Sequence, residues 1–463
     1  MTLPGPPVEV TKLLPPPAIR RRRLPLACNV VAEVLSQCAD ACLHPMIVLP
    51  LFFAVYLPTE REVGGAVALV LAAAAIAAGL GAVLTFEEHP RVRFGALLGA
   101  TGGRALVLLL LAAASGRLTS DHIPRLNWPL YFLAAAALCA GFALPLRVAS
   151  AGIVRAEGSW RTRWGRWAAT GAVGLALGAV LARGQLARIG GVFPVGYRGL
   201  FLIAAVIALV ATAVTALLWL GDLPTAPVRP RAGLAAIPEL LANNLAYGRF
   251  IFFRLLYACG ALADPFFVLY AVSELNASAR VLVGYLLALA LARMVGTFLW
   301  RGVSSTGGNP MVLQLVSFVR LLAPITALTL PPLLNSATLH DHLPGGNNAV
   351  VVAFGLVFVA WGIASAGLDL AVPAIQSGIT TPRERAAASV VTGIALAVAT
   401  VILPVGGLIA DRFGYSFLFI AALVTGVIAL LAGGLIDEPT TVIVRAAPTD
   451  HLPYRRNRVH REG

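Results

Sequence analysis

Apolar stretches of about 20 residues recur along the chain, each bounded by prolines, glycines or charged residues. A helix rises about 1.5 Å per residue, so stretches of this length cross the roughly 30 Å hydrocarbon core of a bilayer. The pattern predicts an all-α membrane protein with twelve membrane-spanning helices. Their predicted bounds are 26–56, 63–85, 94–115, 128–149, 166–184, 198–220, 249–272, 279–300, 311–334, 349–375, 387–408 and 415–436.

The composition agrees with this pattern. Hydrophobic residues make up 59% of the 463 residues and charged residues only 12%, with a mean hydropathy of +0.84. A soluble domain carries about 25% charged residues, so a soluble globular protein is excluded. The net charge of +14 does not indicate nucleic-acid binding, because the arginines are scattered singly through short predicted loops.

The distribution of basic residues predicts an orientation in the membrane. With the N-terminus inside, the predicted cytoplasmic segments hold 22 Lys and Arg residues and the predicted external loops hold 8. Cytoplasmic loops carry an excess of basic residues. Both termini are therefore predicted to be cytoplasmic, in the cytoplasmic (inner) membrane of a bacterium, and the N-terminal segment is read as a tail rather than as a signal peptide.

A proline-rich break at 222–248 divides the predicted spans into six and six. Shifting the sequence by 222 residues superposes Arg161 on Arg383, and a shift of 216 superposes Arg104 on Arg320. The nearly constant offset favours a duplicated six-helix unit. The predicted parts are a cytoplasmic N-terminal tail (1–24), an N-terminal bundle (25–221), a cytoplasmic linker (222–248), a C-terminal bundle (249–437) and a cytoplasmic C-terminal tail (438–463).

The first predicted span carries polar side chains on one face: Glu33, Gln37, Asp40 and His44. At about 100° per residue, their offsets place them within an arc of roughly 60°. A carboxylate at the centre of a membrane helix costs on the order of 3 kcal/mol, so this face is expected to contact other helices or a water-filled cavity. The stripe indicates an ion or substrate pathway; the alternative is a buried, fully paired cluster that only holds helices together.

Other intramembrane charges extend the candidate site. Asp264 precedes Pro265 in the seventh span, where a proline frees backbone carbonyls and often marks a binding site. Arg104 and Arg320 lie about ten residues into their spans and are expected to face a carboxylate or an anionic substrate. Asp264, Arg104 and Arg320 are therefore candidate substrate- or proton-binding residues.

Three further arginines, Arg147, Arg254 and Arg293, lie nearer the predicted cytoplasmic ends, where their side chains can reach the interface. The shift of 222 places Arg147 on Asp369, one residue in each half. This pair is a candidate inner gate that opens and closes during transport. A permanent structural role within each half is the alternative.

The sequence contains no P-loop and no evident nucleophile–base set, so we predict neither an enzyme nor an ATP-driven pump. Its five cysteines all lie in apolar segments without zinc-type spacing. No cofactor and no resident metal are predicted. The predicted partners are the lipid bilayer, protons and a small-molecule or ion substrate, without nucleic acid, and the chain is expected to be a monomer.

Several motifs resemble those of the major facilitator superfamily, and the resemblance covers nearly all of the chain. They are "ADACLHPMIVLPLFF" in the first span, the "RTR" and "RER" loops after the fourth and tenth spans, and "LPVGGLIADRFGYSFLF" joining the last two spans. The resemblance implies two six-helix bundles that rock about a central site. It further implies a secondary transporter, coupled to protons, that exports or exchanges a small organic solute.

The carboxylate-rich first helix is similar to those of multidrug–proton antiporters, which implies efflux of an organic cation or amphiphile. Two alternatives remain. The spacing of Ser36, Asp40 and His44 is similar to that of ferroportin-type exporters, and a carboxylate and an imidazole at i and i+4 can ligate a divalent metal. The loop "FEEHPRVRFG", which departs from the superfamily signature, favours instead a non-transporting assembly factor with the same fold.

Overall fold

The computed structural model describes residues 23–85, 90–115, 128–150, 160–186, 195–217, 234–334, 347–381 and 384–436. The predicted C-terminal tail, and all but the last two residues of the predicted N-terminal tail, lie outside them. The N-terminal half, 23–217, contains the helices α1 (Arg23–Ala41), α2 (Val48–Ala54), α3 (Glu60–Leu84), α4 (Pro90–Ser115), α5 (Trp128–Ser150), α6 (Trp160–Leu186) and α7 (Val195–Leu217).

The C-terminal half, 234–436, begins with a short helical segment and continues with long apolar helices. Its helices are α8 (Ile237–Asn243), α9 (Leu245–Cys259), α10 (Phe266–Ser273), α11 (Ala279–Leu334), α12 (Asn347–Ala353), α13 (Leu356–Ile379), α14 (Arg385–Ala399), α15 (Ile402–Phe413) and α16 (Tyr415–Gly433). The described part of the chain is thus all-helical, as predicted.

Nine helical stretches within the described ranges are long and apolar enough to cross a membrane. Their outer faces carry large exposed apolar side chains, such as Leu69, Ile76 and Leu80 on α3 and Leu202 and Val206 on α7. A soluble protein would bury such faces, whereas lipid tails solvate them. The prediction of a multi-pass membrane protein is therefore confirmed.

The first span is not a single helix, although the prediction of one polar face assumed that it was. Helix α1 ends at Ala41, turns occupy the next six residues, and α2 starts at Val48. Pro45 lies in this break; proline lacks an N–H group and disfavours a helical conformation in the residue before it, which is His44. Glu33, Gln37 and Asp40 keep their common helical register, but the prediction that His44 continues it is wrong.

The seventh span breaks where the Asp264–Pro265 pair predicted a break. Helix α9 ends at Cys259, a 3₁₀ turn covers Gly260–Ala263, and α10 begins at Phe266. Asp264 therefore lies at the junction of two helices, where its backbone leaves the regular hydrogen-bond pattern.

The predicted loop between the eighth and ninth spans is shorter than expected. Helical structure continues past residue 300, and α11 is interrupted at Gly308, whose φ of 76° and ψ of 177° lie outside the helical region. Glycine tolerates this positive φ because it has no Cβ. Two helical segments, 279–307 and 309–334, therefore meet at this residue.

The predicted linker contains a short helix, α8. Leu240 in this helix is fully buried at 0% exposure and belongs to the same apolar cluster as Tyr247 and Phe250 of α9. The Tyr247 hydroxyl donates to the carbonyl oxygen of Ala388 at 2.7 Å. This end of the linker thus packs onto the C-terminal half instead of lying free at the surface.

The two halves pack in corresponding ways. In the N-terminal half α3 packs on α5 and α4 on α7, while in the C-terminal half α11 packs on α13 and on α16. Between the halves, α3 contacts α14 and α15, and α6 contacts α11 and α13. Helices α3 and α6 of the N-terminal half therefore each pack against two helices of the C-terminal half.

Glycines allow the close approach between α3 and its partners. A Cβ added to Gly64 would lie 2.6 Å from the carbonyl oxygen of Leu403 and 3.0 Å from the ring of Phe266, whereas one added to Gly65 would meet nothing within 4 Å. Small residues of this kind let membrane helices pack backbone to backbone.

These neighbouring glycines provide a matched test of the contact. Gly64→Ala is expected to lower the free energy of unfolding by about 1–3 kcal/mol, because its methyl group must displace backbone of the other half. Gly65→Ala is expected to cause no loss, since alanine is the better helix former. Thermal unfolding of the two variants in the same detergent measures this, and equal melting temperatures would contradict the contact.

Candidate functional site

The N-terminal half pairs the central charge of the polar stripe with an arginine from α4. The Arg104 guanidinium forms an ion pair with Asp40 and donates a second hydrogen bond to the Ser36 hydroxyl at 3.1 Å. The Arg104 side chain is only 4% exposed, whereas that of Asp40 is 38% exposed. Asp40 is therefore the accessible member of the pair.

A second pair lies in the same half. Arg147 of α5 approaches Glu33 at 3.6 Å, and the Gln37 amide donates to the other oxygen of Glu33 at 3.0 Å. Both charged side chains are buried, with Glu33 only 2% exposed. The Arg147 side chain therefore packs inside the N-terminal half, whereas its position near the helix end had suggested that it could reach the membrane interface.

The C-terminal half repeats the first arrangement with different residues. Arg320 of α11 donates to an oxygen of Asp264 at 2.7 Å, and the Trp361 indole donates to the same oxygen at 3.2 Å. The Arg320 guanidinium also lies 4.3 Å from the centre of the Tyr257 ring, a cation–π contact. Arg104 and Arg320, which the sequence shift superposed, thus each face a carboxylate, as expected.

The fourth pair joins Arg293 to Asp369. Two nitrogens of Arg293 donate to one oxygen of Asp369, at 3.1 Å and 2.6 Å, and the Asp369 side chain is 40% exposed. The structure does not bring Arg147 and Asp369 together, since each pairs with a partner in its own half. In this conformation the geometry matches the alternative of separate roles, and the gate stays a prediction.

His44 connects the N-terminal half to the site of the other half. Its ring packs edge-on against the Trp361 ring with centroids 5.8 Å apart, and its Nδ1 accepts from the backbone N–H of Met46 at 3.4 Å. Trp361 in turn contacts Asp264. The residues predicted from the two halves therefore meet through one indole ring, which is not among the site residues predicted from the sequence.

The geometry does not favour the alternative in which Asp40 and His44 ligate a transported metal. The break after Ala41 removes the i, i+4 relation on which their joint ligation depended, and Asp40 already pairs with the cationic Arg104. Among the residues described, no group of three or more His, Cys, Asp or Glu side chains is close enough to hold a metal ion.

A separate contact joins the halves where α3 begins. The two oxygens of Asp411, at the end of α15, accept from the backbone N–H groups of Glu60 and Arg61, each at 3.0 Å. The Tyr415 hydroxyl donates to Glu60 at 2.6 Å. The first N–H groups of a helix lack partners within it, so a carboxylate from one half caps a helix of the other.

A crystal structure of a mutant of the nucleoside transporter NupG, a member of the major facilitator superfamily, is similar to this chain. The TM-score is 0.64 and the sequence identity 14%, over 89% of this chain and 99% of that chain. No protein-family model and no curated protein sequence matches the chain. The chain thus has the major-facilitator fold, which confirms the resemblance; the fold of a transporter also fits the prediction that the chain is not an enzyme.

The observed pairing predicts which charges are coupled. In a double-mutant cycle, Arg293→Gln and Asp369→Asn should show a coupling in unfolding free energy that exceeds the ~0.5 kcal/mol scatter of independent sites. Unfolding of the detergent-solubilised variants by a denaturing detergent measures it. Arg147→Gln combined with Asp369→Asn serves as the matched control and should be additive. Strong coupling in the control pair would instead favour the predicted gate.

Proposed function

We propose that this chain, which has the major-facilitator fold, is a proton-coupled secondary transporter that exports or exchanges a small organic solute by alternating access. The observation that carries the proposal is the contact of Trp361 with both His44 and Asp264. It links polar groups of both halves at their junction, where two-halved transporters hold their substrate.

The proposal includes twelve spans in two six-helix bundles. The stretch 279–333 is long enough for two spans and is interrupted at Gly308. Counting it twice and adding the first span (α1 with α2) and α6 to the remaining candidates gives twelve. The matching pairs Arg104–Asp40 and Arg320–Asp264, each between the first and third spans of its half, support the duplication.

Proton coupling is assigned to the polar face of α1. Protonation of Asp40 removes its negative charge and so weakens its ion pair with Arg104. Arg104 then has an uncompensated positive charge, and the protonated Asp40 can donate a hydrogen bond, so the solute meets a different site before and after protonation. In the proposal, Glu33, Gln37 and His44 extend the proton path on either side of Asp40, because they lie before and after it along the same span.

Alternating access needs contacts between the halves that can open. The Asp411 cap on α3 joins the halves through two hydrogen bonds at one end of the bundle, which is the external end in the predicted topology. These bonds are partly exposed to solvent, so each contributes little to stability and can break when the halves rock. We assign this cap to the closed state of the external side.

The proposal predicts that Asp40→Asn abolishes proton movement driven by the solute, because an amide cannot bind and release a proton. Proteoliposomes containing a trapped pH dye are exposed to a panel of nucleosides, organic cations, organic anions and amino acids. At least one solute should change the internal pH with the wild type and none should with the variant.

The exposed Glu62 at the start of α3 supplies the control. Glu62→Gln removes a carboxylate that lies outside the polar stripe and should leave proton movement unchanged. If Asp40→Asn moves protons as the wild type does, Asp40 is not the proton carrier. A wild type that moves protons with no member of the panel would favour the assembly-factor alternative over transport.

A second prediction concerns the cap. Asp411→Ala should speed hydrogen exchange at the backbone amides of Glu60 and Arg61 by about threefold to tenfold, because both lose a charged acceptor. Hydrogen-exchange mass spectrometry of the peptide that starts α3 measures the change. Arg412→Ala, at the adjacent exposed position, is the matched control and should leave exchange as in the wild type. Equal exchange rates in the two variants would contradict the assignment of the Asp411 cap to the closed state of the external side.

A further inference from the structure

The interior charges of the C-terminal half do not balance. Within the described residues this cluster consists of three arginines, Arg254, Arg293 and Arg320, and two aspartates, Asp264 and Asp369. Arg293 pairs with Asp369, and Arg320 pairs with Asp264. The third arginine, Arg254, is left over. In the N-terminal half, by contrast, Arg104 and Arg147 each have a carboxylate partner.

Arg254 lies beside the paired groups rather than apart from them. It lies nearly one turn before Tyr257 on α9. The Tyr257 ring makes the cation–π contact with the Arg320 guanidinium. The Arg254 guanidinium interacts electrostatically with Asp369, which attracts it, and with Arg320, which repels it. Its Nε is buried and makes no hydrogen bond to any of the residues that the structure describes.

A guanidinium in this position favours an anionic partner. Arg254 is partly buried, and a charge withdrawn from water without a partner is costly. Both nearby carboxylates already accept hydrogen bonds from other arginines. The planar fork of arginine matches carboxylate and phosphate groups through two parallel hydrogen bonds. A cationic solute would add a further positive charge to a cluster that already has one in excess, so the charge balance opposes the organic cation implied by the first helix.

We propose that the transported solute is an organic anion whose carboxylate or phosphate group binds Arg254. The inference rests on the proposed transport function and specifies the substrate class of the same site. When the anion is bound, the cluster holds three positive and three negative charges, and every guanidinium has a partner. Arg254 lies on α9 before the Arg320–Asp264 pair, so the anionic group binds on the side of that pair from which α9 enters.

Three probes with the same ring and different charge test the proposal: benzoate, benzamide and benzamidine. Thermal unfolding of the full-length protein in neutral detergent reports binding, because a ligand that binds only the folded state raises the melting temperature with concentration. Benzoate should stabilise the wild type, while benzamide and benzamidine should not. In Arg254→Gln the apparent Kd for benzoate should rise about tenfold or more, because its charged partner is gone.

Two further variants keep the result interpretable. Arg249→Gln alters an exposed arginine of the same helix and should bind benzoate as the wild type does. Arg254→Lys keeps the charge without the fork and should bind with intermediate affinity, which provides a readout if Arg254→Gln does not fold. Stabilisation by benzamidine in preference to benzoate, or benzoate binding that persists in Arg254→Gln, would overturn the proposal.

The same chemistry could come from a lipid headgroup, so a second arm compares anionic lipid with soluble anions. Phosphatidylglycerol and phosphatidylcholine are titrated into the same samples, alongside inorganic phosphate. Stabilisation by phosphatidylglycerol alone that depends on Arg254 would assign the anion to the membrane and reject the solute. Absence of stabilisation by benzoate and by phosphate at tens of millimolar, the range of weak ligands, would also reject it.

The two proposals can fail separately. If solutes drive proton movement in proteoliposomes but no anion binding depends on Arg254, the transport proposal is supported and the anionic substrate class is rejected. Anion binding that depends on Arg254 in a protein that moves no protons with any solute would support the site and reject proton-coupled transport.

Discussion

The pairing of charges inside a low-dielectric interior is the constraint on which the rest of this structure depends. Four arginines each face a carboxylate from another helix, and all four lie within membrane-spanning stretches. Leaving any of these charges alone would cost more than a typical helix contact provides. The rotation of each helix must therefore bring its charged residues into these pairs. The apolar faces of the helices then point outward, where lipid can contact them.

This constraint also explains the similarity of the halves. The pairs Arg104–Asp40 and Arg320–Asp264 join equivalent helices, although Asp40 lies within a regular helix and Asp264 at a break. Each bundle is thus held together internally by its own ion pairs, while glycine contacts and the Asp411 cap hold the two bundles to each other. The alternating access that we propose requires this arrangement, with strong interactions within each half and weaker ones between the halves.

The intramembrane charges differ in their exposure and in their pairing. Asp40 and Asp369 are paired yet partly exposed, whereas Glu33 and Arg147 are buried. In the proposed function, Asp40 is therefore the carboxylate that water and solute reach directly. Arg254 differs from both groups because, within the described part of the chain, the carboxylates near it form their ion pairs with other arginines. Partial exposure and missing compensation, rather than the presence of charge alone, distinguish the candidate site from the scaffold.

The sequence by itself determined the membrane-spanning helices, the break at Pro265 and the need of each intramembrane charge for a partner, because these follow from local hydropathy and backbone chemistry. Only the tertiary structure decided which partner each charge takes. Arg104 and Asp40 are 64 residues apart, and Arg293 and Asp369 are 76 apart. Such pairs depend on how whole helices are rotated and packed, and the break after Ala41 likewise moved His44 off the predicted face and against Trp361.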